Sequence, residues 1–66
     1  MPIVRVEIWD NHTKEFKKNL AKDITQTIIK HIPCPEEAVM VIFTEVAKDN
    51  WAFGGELASD CFKQSQ

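Results

Sequence analysis

Residues 3 to 9 read Ile-Val-Arg-Val-Glu-Ile-Trp, an alternation that sets Val4, Val6 and Ile8 on one face of a strand and Ile3, Arg5, Glu7 and Trp9 on the other. Asp10, Asn11 and His12 break that period. Thr13 then stands where a helix N-cap belongs, with Glu15 in the first turn to complement the helix dipole. From 13 to 32, Phe16, Leu20, Ile24 and Ile28 recur at every fourth position, while Lys14, Lys18 and Lys22 sit roughly 200° away around a helix of 3.6 residues per turn. The spacing predicts an amphipathic helix that packs on a sheet and turns its lysines to solvent. Pro33 and Pro35 end it, because neither can donate the backbone hydrogen bond of a continuing helix, and Cys34 falls in the connection.

A second apolar run, residues 38 to 46, is rich in β-branched side chains and predicts a second strand. Strand, long helix and strand make a βαβ unit with parallel pairing and a right-handed crossover. With the helix covering one sheet face, the other face, carrying Trp9, Met40 and Ile42, is left for another subunit. Residues 47 to 50 read as a turn, and Trp51 to Glu56 as a hairpin whose Gly54 and Gly55 permit positive φ. Residues 60 to 66 are mostly polar and read as a frayed tail. The expected fold class is α+β: a single domain over residues 1 to 66, one βαβ unit with a C-terminal hairpin.

Sixty-six residues suffice for one domain, but so short a chain buries too little surface to be comfortably stable alone. Disulfides do not fill the gap, since only Cys34 and Cys61 are present and no apolar signal segment precedes them; both are expected as reduced thiols in a cytoplasmic protein. His12, His31, Cys34 and Cys61 lack the paired short spacings of a zinc module, so no metal is expected. Oligomerisation remains, and 44% hydrophobic content is enough to cover an interface as well as a core. A net charge of −2 with no basic block argues against a nucleic-acid partner, and no apolar run approaches a membrane span.

Met1-Pro2-Ile3, the single βαβ unit, and Thr44-Glu45-Val46-Ala47-Lys48 leading to Trp51 and Gly54-Gly55-Glu56-Leu57-Ala58-Ser59 together resemble the 4-oxalocrotonate tautomerase family over residues 2 to about 59. The resemblance implies a homohexamer, a trimer of dimers with six sites, in which Met1 is removed and Pro2 becomes a true N-terminus. Pro2 would then be the catalytic general base. Its secondary amine must be neutral to act; an α-amino group titrates near about 7.7 to 8.0, and an apolar surround lowers this. Such an amine can take a proton from an enol or ketone and return it elsewhere on the same molecule, a keto–enol tautomerisation that calls for no cofactor. Trp51 stands where the family carries an aromatic residue and would wall the site. Read without the resemblance, Pro2 is first of all an ordinary strand start that permits methionine removal, whereas Trp51 is equally an interface anchor.

The family's two substrate-binding arginines fall at His12 and Met40 in this chain. Arg5 is the only arginine, on the oligomer-facing side with Glu7, where an ion pair is the simpler role. Met40 donates no hydrogen bond, and His12 imitates an arginine fork only in part. A dicarboxylate held by two arginines is therefore not expected; a less charged enol or 2-oxo acid is, with His12, Met40 and Trp51 as substrate-binding residues. His12 could serve as the electrophile, or merely as an exposed residue capping backbone groups at the helix start. Two rivals follow from the same departures: one subunit type of a heterohexamer whose sister chain supplies the arginines, and a non-catalytic oligomeric module that keeps the fold.

Overall fold

The computed structural model describes residues 1 to 62. β1 (Ile3–Trp9) leads through a short turn to α1 (Lys14–His31), and β2 (Met40–Val46) returns to lie parallel to β1. The small elements follow: β3 (Ala52–Phe53), β4 (Glu56–Leu57) and α2 (Ala58–Cys61). This is the expected α+β arrangement, one βαβ unit followed by a hairpin. α1 starts where expected because the Thr13 hydroxyl accepts a hydrogen bond from the Phe16 N–H at 3.0 Å. β2 begins at Met40 rather than Ala38, since Glu36–Ala38 tightens into a 3-10 turn that the Ala38 N–H closes onto the Pro35 carbonyl at 3.0 Å.

The register pairs Val4 with Val41 and Val6 with Phe43, and these side chains are half-buried, as are Leu20, Ile24 and Ile28 of α1, with Val4 beside Ile24 and Ile28. Lys14, Lys18 and Lys22 are exposed. Phe16, the first residue of the expected apolar stripe, remains 42% exposed. The Lys17 ammonium meets the Glu45 carboxylate at 2.5 Å and ties helix to strand; an ion pair this exposed stabilises by only about 0 to 1 kcal/mol. It is the single salt bridge among the described residues, and within one copy none joins Arg5 to Glu7.

On the opposite sheet face Ile3, Arg5, Glu7, Met40, Ile42 and Thr44 are all exposed. Trp9 departs from the expectation that it would be left open for a partner. The hairpin and α2 fold back over it, setting Trp51 edge-on at 5.8 Å and Phe62 at 5.3 Å between ring centroids. The hairpin turns through Gly54 (φ 58) and Gly55 (φ 89), two consecutive positive values that L side chains resist. Asp60 and Cys61 complete α2 and Phe62 packs on Phe53, so the expected frayed tail does not begin at residue 60; residues 63 to 66 of that tail lie outside the described residues. Ala58 alone is a fully buried hydrophobic residue among those described. No described helix is long and apolar enough to cross a membrane.

Candidate functional site

The ladder between β1 and β2 opens with the Met40 N–H donating to the Pro2 carbonyl at 3.0 Å, which places those two residues together at one end of the sheet. Pro2 is half-buried, whereas Met1 is 85% exposed. With Met1 attached, the Pro2 nitrogen is an amide without basicity.

The other end is built from the segment after Trp9. The Asp10 N–H donates to the Val46 carbonyl at 3.3 Å, and Asn11 turns the chain with φ 82, a left-handed conformation that asparagine tolerates better than most residues. His12 then stacks on Phe16, with ring centroids 4.4 Å apart and planes 17° from parallel. Thr13 performs the capping, and among the described residues no hydrogen bond engages the His12 ring nitrogens. Their donor and acceptor capacity is available to a ligand.

Beside His12 a groove of about 610 Å³ runs between Trp9 and the turn carrying Lys48 and Asp49. The Lys48 ammonium lies 4.8 Å from the centroid of the Trp9 ring, a cation–π contact. Trp51 touches Trp9 on one side and, with Glu7, lines a separate recess of about 300 Å³. Glu7 belongs to the open sheet face, so Trp51 borders that face.

Of the four residues singled out from sequence, Pro2 and Met40 meet at one end of the sheet, while His12 and Trp51 stand toward the other end and line separate recesses. Seven residues of strand separate Pro2 from Trp9, roughly 23 Å at about 3.3 Å per residue. No small molecule spans that distance within one copy. Lys48 and Trp9 were not read from the sequence as one constellation. The available signal was that Lys48 is the sole basic residue between 47 and 56, but nothing in the local pattern brings it onto Trp9.

Neither cysteine joins these residues. Cys34 is half-buried in the connection after α1. Partial desolvation, followed by the Glu56 carboxylate as both charge and hydrogen-bond partner and then by Asp60, pushes the Cys61 thiol up from its ordinary value, which makes it a poor nucleophile near neutrality. Among the described residues no three His, Cys, Asp or Glu side chains gather as a metal site.

Comparison with known proteins places this arrangement. The family profile described as tautomerase enzyme matches residues 2 to 60. A probable tautomerase of Lactiplantibacillus plantarum is 38% identical over 60 residues, covering 91% of this chain and 94% of that protein. The 2-hydroxymuconate tautomerase of Pseudomonas putida is 37% identical over 59 residues, covering 89% and 94%. Among solved structures, a 4-oxalocrotonate tautomerase homologue superimposes with a TM-score of 0.83 at 35% identity, covering 91% of this chain and 95% of that one. The βαβ unit, the two-glycine hairpin and these matches along nearly the whole chain agree: the protein belongs to the tautomerase family, a membership that supports a tautomerase-type isomerase activity.

Proposed function

We propose that Pro2, freed by removal of Met1, is the general base of a keto–enol tautomerase whose sites are completed between copies of the chain. The observation that carries this reading is the division of the site residues between the two ends of one bare sheet face. β1 has β2 on one side only, so its other edge offers unpaired backbone groups. A two-fold axis across the middle of β1 would run two such strands antiparallel and set each Pro2 beside the Trp9 end of the other copy. Packing of such dimers through their bare sheet faces covers Ile3 and Ile42, which one copy leaves 51% and 38% exposed. Three dimers give the homohexamer that the resemblance implies.

In that setting the neutral proline amine takes a proton from the hydroxyl or carbon of a small enol or 2-oxo acid and redelivers it to the other end of the conjugated system. Met40 and Trp51 supply apolar walls that disfavour the ammonium form and keep the amine ready as a base. His12 orients the substrate oxygen with a ring nitrogen. The replacement of both family arginines favours one second reading, in which a sister chain supplies them in a heterohexamer. Co-purification of a tautomerase-like partner, read by intact mass, would support that alternative.

The deciding experiment is the ketonisation rate of phenylenolpyruvate, using protein shown by intact mass to lack Met1. Pro2→Ala keeps a primary amine and is expected to lower kcat/KM by about 100-fold, the lower end of what a positioned base contributes. Equal rates in the two proteins would overturn the assignment of Pro2.

A further inference from the structure

We propose that Lys48 is the carboxylate-binding residue of this site and that it selects substrates with a single carboxylate and an apolar body. The inference rests on the tautomerase reading above and names the substrate class for the same site. Its basis is the groove beside His12, where Trp9 forms a wall and Lys48 leans over the indole face at 4.8 Å. Lys48 is half-buried. Asp10 and Asp49 line the same groove, yet the only salt bridge among the described residues is that between Lys17 and Glu45. The Lys48 ammonium is thus held by a ring face, which uses none of its three N–H donors. Holding it there also removes side-chain freedom that would otherwise be lost when an anion binds.

The composition of the groove sets the number of charges it accepts. One ammonium meets one carboxylate as a point charge, without the fork that an arginine offers. A second carboxylate would face Asp10 or Asp49 and be repelled. The apolar remainder of a monoanion has the Trp9 indole and Ala47, which line the groove, to lie against. Enols of 2-oxo monocarboxylic acids with an aromatic or branched apolar group have this shape and charge; aliphatic dicarboxylates do not.

The test uses the assembled protein lacking Met1 and two probes of equal shape, benzoate and benzamide, titrated while the indole N–H signals of Trp9 and Trp51 are followed by NMR. Lys48→Met is expected to weaken benzoate about 10-fold, the scale of a lost charge-assisted hydrogen bond, and to leave benzamide within twofold. Lys48→Arg should retain benzoate. Asp49→Asn, a change at an exposed residue, should tighten benzoate two- to threefold and thereby give an opposite sign that a folding defect cannot imitate. In turnover, Lys48→Met should raise KM for a monocarboxylate enol with little change in kcat. Equal losses for benzoate and benzamide, or no loss for either, would overturn the proposal. Pro2→Ala separates the two readings: it should collapse kcat without moving benzoate affinity. If Pro2→Ala keeps full turnover while Lys48→Met still loses benzoate alone, the carboxylate site stands and the proline base falls.

Discussion

Ile42 sits at the centre of the face that a second copy must cover, and Ile42→Glu is the sharpest way to ask whether the site is shared. Ile42 is 38% exposed, with Met40 at 47% and Ile3 at 51% beside it. Complete burial of such side chains stabilises by roughly 1.5 to 3 kcal/mol each, so covering the exposed fractions of these three contributes roughly 2 to 4 kcal/mol per copy. A carboxylate at position 42 removes part of that gain and adds the cost of burying a charge that Arg5, paired across the strands at that register, can offset only in part. The expected outcome is loss of assembly at micromolar concentration in native mass spectrometry, together with loss of proline-dependent turnover. Lys18→Glu, on the solvent face of α1, should change neither. An Ile42→Glu protein that is monomeric yet turns over phenylenolpyruvate at the parent rate would refute the shared site, and one that still assembles would refute the role given to this face.

Three other outcomes are expected. The kcat/KM of Met1-free protein should rise with pH and level off through one apparent pKa below about 7.7, because only the neutral amine accepts a proton and an apolar surround lowers its pKa; a profile flat from pH 5 to 9 would count against Pro2. Gly55→Val forces a β-branched residue to φ 89 and should cost about 1 to 3 kcal/mol, lowering Tm by several degrees in a thermal melt, whereas a neutral result would mean that the hairpin adds little to the fold. Because Glu56 helps to raise the Cys61 pKa, Glu56→Gln should speed iodoacetamide labelling of Cys61 near pH 8, with the difference closing as pH rises and both thiols ionise.

Much of the fold is legible along the chain because its signals are local. Side chains alternate across a strand by covalent geometry, so Val4 and Val6 had to share a face opposite Ile3 and Arg5. Thr13 caps its helix through a bond to a residue three positions away, and two adjacent glycines close a two-residue turn. The site is legible only as a set of residue types. That Pro2 is joined to Met40, and parted from His12 and Trp51 by the length of β1, follows from the parallel register, a long-range property.

By itself, then, the amino-acid order determined the elements, the apolar stripe of α1 and the presence of a bare sheet face, since each depends on neighbours within a turn or a strand pair. Tertiary structure alone decided that Trp9 is covered by Trp51 and Phe62 while Met40 and Ile42 stay open. It also decided that Lys48 leans on an indole from the far end of another strand. Those contacts join residues about forty to fifty positions apart, and no local period records where a folded-back hairpin will land.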